Sequence, residues 1–270
     1  MGGVFWVSYM DKQEFRFKIS GKTLVIIDWA NVYGWFSNPS SKTYLGWEVD
    51  PKKLFAYLKS YSNITDINFY FGVESNKPKS VIFEKEIKSI GYSHKSKEVK
   101  WVPASLDTSH FKSLLKELIS VLNGIKNTNF NITKKLHDSA YSLTEELDEE
   151  LKKLNIRIDE LKNYLLEPVM RRKCDFDVEI ARDVFNFSND FENLILFSGD
   201  GDYVALVEDL ILTKNKKVIV VFASGHKGKE YTQLQEKLIK EKLSFRLFLC
   251  SVNNLKNFII KYPQGLLLGA

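Results

Sequence analysis

The stretch LILFSGDGDYVALVEDL, residues 194–210, decides how the rest of the chain is read. Leu194–Phe197 is an apolar run of the kind that fills a strand covered on both faces. It breaks at Ser198-Gly199-Asp200-Gly201-Asp202 and resumes with Val204, Leu206, Val207 and Leu210 at helical spacing. A strand that turns through glycines directly into a helix is the unit from which parallel sheets are built. Two carboxylates, Asp200 and Asp202, sit on that turn, and the glycines beside them let the backbone turn sharply.

The same alternation runs outward in both directions. Thr23–Ile27 is a β-branched run ended by Asp28, and Asp50-Pro51 has the N-cap and first residue of a helix with Leu54, Phe55 and Leu58 on one face. Strands are expected at 65–73 and 98–102, with a helix at 79–90 between them. Beyond an interruption come a helix at 175–187, the strand at 194–197, a helix at 203–213, a strand at 218–222, a further helix and a short strand at 245–249. Residues 14–19, Glu-Phe-Arg-Phe-Lys-Ile, alternate strictly and predict a half-buried edge strand. Strand and helix in regular succession imply right-handed crossovers and a three-layer α/β sandwich.

The interruption differs in composition. Leu136, Ala140, Leu143, Leu147, Leu151, Leu154, Ile158, Leu161 and Leu165 recur at steps of three and four, which keeps one apolar stripe on a nearly straight helix. An earlier helix, about 109–125, carries Leu114, Leu115, Leu118, Ile119 and Leu122, and Asn127-Thr128-Asn129 is a turn between the two. An inserted α-helical hairpin at 105–168 follows, with roles as spacer, pairing arm between two chains, or substrate contact left open. The expected division is 22–104 with 169–262 for the α/β domain, 105–168 for the hairpin, and 1–21 for an N-terminal extension.

In open α/β sheets ligands gather beyond the carboxyl ends of the strands, where strand order reverses. Asp28 and the pair Asp200 and Asp202 both follow strand ends. Asp177 heads a helical stripe continued by Ile180, Ala181 and Val184, so it faces the sheet. Each acid has a plain reading as a cap or first-turn residue. Together they form a crowd of carboxylates with no matching stripe of Lys or Arg, and such a crowd calls for a divalent cation with hard oxygen preference, Mg²⁺ or Mn²⁺.

Three segments, VIIDWANVYG (25–34), KCDFDVEIARDVF (173–185) and LFSGDGDYVALVEDL (196–210), resemble in order the signature segments of the NYN domain family, PIN-like nucleases that include LabA-like proteins. The resemblance covers about 22–102 and 171–260 and leaves out the hairpin. It implies a PIN-like, Rossmannoid parallel sheet of order 3-2-1-4-5 and metal-dependent RNA cleavage leaving 5′-phosphate and 3′-hydroxyl ends. Carried over by position, Asp28, Asp177, Asp200 and Asp202 are the implied metal ligands. Asn31 joins them as an implied catalytic residue, and Asp202 would hold a metal-bound water or orient the nucleophile; Asp175 departs from the family pattern, at a place often small or apolar in relatives, and is a candidate only for supporting the ligands from behind.

A polyanionic substrate needs cations near the acids. Arg171, Arg172 and Lys173, just before the acidic helix, and Lys227 and Lys229, in the loop after the strand at 218–222, are the chosen candidates; Lys95, Lys97 and Lys100 are further ones. Trp29, Tyr33 and Trp35 adjoin Asp28 and divide between core packing and base stacking. His226 is one of four histidines, too few for a metal-ligand spacing.

The bulk composition bounds the rest. With 270 residues, 44% hydrophobic, and 39 Lys and Arg against 34 Asp and Glu, the chain supports a packed core and a net charge of +5, permissive for nucleic acid. Two cysteines exclude a disulfide framework or a cysteine-rich zinc site, and no apolar stretch reaches membrane length, so a cytoplasmic protein is expected. A haloacid-dehalogenase phosphatase needs an acid two residues after its nucleophile, and Asp28-Trp29-Ala30 lacks it. A dinucleotide site needs a glycine-rich first turn, absent from 29–32. The surviving alternative to a ribonuclease is a catalytically silent RNA-binding or scaffolding protein that recruits partners through the hairpin.

Overall fold

The computed structural model describes residues 15–103 and 170–262, together with Asp138, Ser142, Glu145, Glu146, Glu149 and Lys152, which are helical. The strands are β1 (Thr23–Asp28), β2 (Ile64–Val73), β3 (Ser93–Glu98), β4 (Lys100–Pro103), β5 (Met170–Lys173), β6 (Asn193–Phe197), β7 (Lys217–Phe222) and β8 (Leu247–Ser251). The helices are α1 (Trp29–Gly34), α2 (Pro51–Lys59), α3 (Pro78–Ile90), α4 (Asp177–Asn186), α5 (Val204–Leu212), α6 (Glu230–Lys240) and α7 (Lys256–Ile259). Described residues up to Val99 and from Cys174 onward form one compact unit, and the chain between Lys100 and Lys173 belongs to a second.

The first unit is a six-stranded, all-parallel sheet of order β3-β2-β1-β6-β7-β8. Its first five strands in chain order follow the expected 3-2-1-4-5, and β8 adds a sixth at the edge. Alternate side chains of each strand go to opposite faces. Val25, Ile27, Phe69, Phe71, Ile195 and Val221 pack with Trp29, Leu54, Leu58 and Ile87. Leu24, Ile26, Leu194, Leu196, Val218 and Val220 pack on the other face with Ile180, Val184, Val207, Leu210 and Leu234. Helices therefore cover both faces, which is why these strands are apolar throughout rather than alternating.

The chain leaves β1 toward β2 and β3, then returns to the other side of β1 for β6, β7 and β8. Strand order thus reverses between β1 and β6, which pair in register from Thr23↔Asn193 to Ile27↔Phe197. The carboxyl ends of these two strands flank the switch point, where ligand sites of open α/β sheets form.

Three expectations change. The third sheet strand is 93–98, not 98–102; SHKSKE is polar because it lies at the sheet edge, so no apolar run marks it. Lys100–Pro103 instead pairs antiparallel with β5 in a separate two-stranded ribbon, Trp101 opposite Arg172 and Val102 opposite Arg171. Residues 15–20 join no sheet, although Phe17 is buried between exposed Arg16 and Lys18. Their backbone is satisfied by side chains: the amide of Phe17 donates to the Tyr61 hydroxyl at 3.0 Å, and Tyr57 and Asn63 donate to the carbonyls of Phe15 and Ile19. The hairpin expected at 105–168 falls, apart from the six isolated positions, outside the described residues. No helix among the described residues is long and apolar enough to cross a membrane.

Candidate active site at the sheet switch point

Asp28 is the last residue of β1 and the N-cap of α1, where its Oδ1 accepts from the amide of Asn31 at 3.3 Å. Its Oδ2 accepts from the Ser198 hydroxyl at 3.4 Å and from the Tyr203 hydroxyl at 3.3 Å. The residue is 8% exposed, and all three donors are neutral. Burial, aided by the negative charge of Asp200, pushes its carboxyl up to about 6, against the pull of those donors.

Asp177 opens α4 one turn ahead of buried Ile180 and Val184, which seat the helix on the sheet. The Tyr203 hydroxyl that donates to Asp28 is also within hydrogen-bonding reach of the Asp177 carboxylate. Burial, then Asp175 and Asp200, push Asp177 up to about 6 as well. Asp200 lies after β6 and caps the short 3-10 turn Gly201–Tyr203 by accepting from the amide of Asp202 at 3.1 Å. Asp28, Asp177 and Asp200, 172 residues apart from first to last in the chain, thus come within electrostatic reach of one another. What raises both carboxyls is burial and the neighbouring acids, opposed mainly by neutral hydrogen-bond donors.

The two turns are tied together by Asn31. Its Oδ1 accepts from the amide of Gly199 at 3.0 Å and from the Trp35 indole at 3.0 Å. The expectation that Asn31 acts directly on substrate is narrowed by this: its carbonyl oxygen is committed to joining the ends of β1 and β6. The glycines of the turn also work differently from the expected sharp bend. Neither Gly199 nor Gly201 has a positive φ. A Cβ on Gly199 would meet the His226 backbone carbonyl, so glycine is required there for close approach of the 225–230 loop, whereas one on Gly201 would meet only the movable end of the Glu230 side chain.

The remaining candidates are placed as follows. The Asp202 side chain is exposed and adds no hydrogen bond to the cluster among the described residues. Lys227 donates to the Thr232 hydroxyl at 3.0 Å, and exposed Lys229 precedes α6. Arg171, Arg172 and Lys173 lie on β5 in the second unit, a strand opposite Lys100–Pro103 instead of a lead into α4. Lys95 and Lys97 are taken up by acids, Asp183 at 2.6 Å and Glu179 at 2.8 Å. Trp29 and Trp35 are core residues, whereas Tyr33 is 49% exposed near Asp28. His226 points Nε2 at the Thr43 carbonyl, 3.1 Å away.

Two residues escaped sequence reasoning. Tyr203 donates its hydroxyl to Asp28 and lies beside Asp177, and Ser198, fully buried, links Asp28 to the amide of Asp200 through its hydroxyl. The only available signal was that both flank the Gly-Asp-Gly-Asp turn.

Among the described residues, no group of three or more His, Cys, Asp or Glu side chains is arranged to hold a metal ion as it stands. The donor chemistry nevertheless fits one. Hard carboxylate oxygens whose pKa values are raised by burial and by neighbouring acids are what a divalent ion relieves. Asp28, Asp177 and Asp200 are the side chains that would hold it.

An all-parallel sheet whose strand order reverses between β1 and β6 defines an open α/β domain with its candidate site at that switch point. The NYN domain family model matches residues 102–241, just over half the chain, and the chain belongs to that family, whose domains are PIN-like. The matched span takes in α4 and the turn after β6 and leaves out β1 with Asp28. Among curated proteins, the Low amplitude and bright protein LabA of Synechococcus elongatus is 28% identical over 90 residues, 33% of this chain and 42% of that protein. The alignment thus spans under half the length of that relative. A crystal structure of a protein of unknown function from Vibrio parahaemolyticus aligns over 92% of this chain and 100% of that one, with 15% identity and a TM-score of 0.48.

Proposed function

We propose that the protein is a divalent-metal-dependent ribonuclease that hydrolyses RNA phosphodiester bonds. One observation carries this reading: buried Asp28 has only neutral donors, shares the Tyr203 hydroxyl with Asp177, and feels the charge of Asp200. Asp28, Asp177 and Asp200 would hold Mg²⁺ or Mn²⁺, and the ion would supply Lewis acidity toward a water and toward the charge on the phosphate. Asn31 keeps the ends of β1 and β6 together, so that Asp28 and Asp200 stay paired in space. Tyr203 fixes the orientation of the Asp28 and Asp177 carboxylates. Asp202, exposed on the same turn, is placed to orient the attacking water. Arg171, Arg172, Lys173, Lys227 and Lys229 are the proposed phosphate contacts, and RNA is the proposed partner.

The test is an end-mapped digest of single-stranded and structured RNAs with Mg²⁺, Mn²⁺ or EDTA. Cleavage that needs the metal, leaves 5′-phosphates, and disappears in Asp200→Asn with the circular dichroism spectrum preserved supports the reading. Equal cleavage by wild type and variant overturns it. The second reading, a silent RNA-binding or scaffolding protein, draws on the absence of a metal-ready group among the described residues. RNA binding without cleavage across varied RNAs and metals would establish it.

A further inference from the structure

The amino ends of the strands, opposite the carboxylates, carry a second feature. A groove of about 1270 Å³ opens between the segment Phe15–Ile19 and the start of β7 and β8. A groove of that size has room for a polymer segment as well as for a small molecule.

Its lining is chemically one-sided. Arg16, Lys18, Lys217 and Arg246 line it, and none of the described lining residues is acidic. None of these four forms an ion pair among the described residues. Arg246 donates from Nη1 to the Asn215 carbonyl at 2.6 Å, while its buried Nε has no acceptor. Two ring faces stand beside these cations: Phe245 is 66% exposed and Phe248 50% exposed. Phe245 lies 5.2 Å from the Arg246 guanidinium. Cations that track a backbone, alternating with exposed aromatic faces, are what a strand of unpaired nucleotides requires.

We propose that this groove binds single-stranded RNA, a site separate from the carboxylate cluster that holds the substrate away from the point of cleavage. The proposal rests on the ribonuclease reading for its choice of RNA over other polyanions. Phosphates lie against Arg16, Lys18 and Lys217, and bases stack on Phe245 and Phe248. The occupied groove selects long RNA over short, because only a long strand reaches both ends of the sheet.

The experiment measures anisotropy of fluorescein-labelled RNAs of roughly 8 and roughly 30 nucleotides, lengths that bracket the usual single-strand site sizes. It uses the full chain, in EDTA for binding and Mn²⁺ for cleavage. In Phe245→Ala/Phe248→Ala the affinity for the long RNA falls about tenfold or more, as loss of base stacking dictates. In Arg16→Ser/Lys18→Ser/Lys217→Ser the slope of log K against log salt shrinks by about 2 for three lost phosphate contacts. All five side chains are at least half-exposed or lie at the surface, so the fold is kept, and cleavage of the short RNA stays at the wild-type rate. Unchanged affinity and slope in both variants, with short-RNA cleavage intact, overturns the groove assignment alone. Absence of both binding and cleavage in the wild type overturns the ribonuclease reading and this one with it. Capture of a Glu-Tyr copolymer in preference to RNA, lost in the variants, makes the groove a protein-docking surface and overturns the proposal.

Discussion

At the scale of single residues, the site keeps a carboxyl where its charge is least welcome. Asp28 has a folded pKa of about 6, above its ordinary 3.8, mainly through burial. A raised pKa means that the fold prefers the protonated acid. Its contribution is therefore most favourable below about pH 4 and is lost as pH rises through 6. Asp28→Asn is expected to raise the stability of metal-free protein at pH 7.5 by up to about 3 kcal/mol, with the gain vanishing near pH 4. Urea melts at both pH values check it, and a gain independent of pH would refute the cause. Asp177, also raised to about 6, adds to the same trend. Tyr203→Phe removes the hydroxyl between the two acids. It should cost about 1–2 kcal/mol and move the Asp28 carboxyl higher still, since that hydroxyl now holds it down; a carboxyl-carbon NMR titration reads the shift. The acids themselves were legible as candidates because they stand at the carboxyl ends of strands, where ligand sites of open α/β sheets form, even though Asp28 and Asp200 also serve as caps. Tyr203 and Ser198 were not, because their part depends on Asp28, which stands more than 160 residues away in the chain.

At the scale of elements, α4 is fastened to the sheet by polar as well as apolar contacts. Asp183, buried on its inner face, accepts from Tyr70 on β2 at 2.7 Å and from Lys95 on β3 at 2.6 Å. Burial alone would raise its pKa, but these donors, with Arg182, hold it below the usual carboxylate value. The sign is opposite to that of Asp28: this stabilisation is present above about pH 4 and is lost as pH falls. Asp183→Ala leaves a buried tyrosine hydroxyl without an acceptor and should cost about 2–3 kcal/mol, measured by denaturant melts at pH 7. The turn after β6 makes a sharper case. Gly199→Ala sets a methyl group against the His226 carbonyl, so loss of cleavage and of stability are expected together, whereas Gly34→Ala, with open space around it, changes neither. Elements buried on both faces announced themselves as apolar runs, and the Asp50 cap with Pro51 was readable to the residue. The edge strand β3 was not, since solvent tolerates SHKSKE on one side. Residues 15–20 show the converse, strict alternation without a partner strand, because side chains supply their hydrogen bonds.

At the scale of the whole molecule, one unit, Lys100–Lys173, interrupts the other in sequence. The apolar stripe of 136–165 is as regular as any in the chain, yet what it packs against lies beyond what alternation and spacing specify. Among the described residues, both cores of the parallel sheet are built from side chains before Lys100 and after Lys173. The ribbon at the junction gives a direct way to separate the two. Pro103 and Met170 are antiparallel partners at the last position of β4 and the first of β5. Such partners stand only about 5 Å apart, so a two-residue turn can join them. Replacing residues 104–169 by Asn-Gly is expected to give a soluble chain with a single cooperative melt and a circular dichroism spectrum of mixed helix and strand. The carboxylate cluster should persist in it, since Asp28, Asp177, Asp200, Tyr203 and Ser198 all belong to the retained unit. A carboxyl titrating near 6 in the shortened protein would show that, and cleavage of the RNA cut by the full chain would place the chemistry in the sheet. A broad, uncooperative melt would mean that the sheet's two cores depend on the excised segment, and the autonomy argued from them would fall.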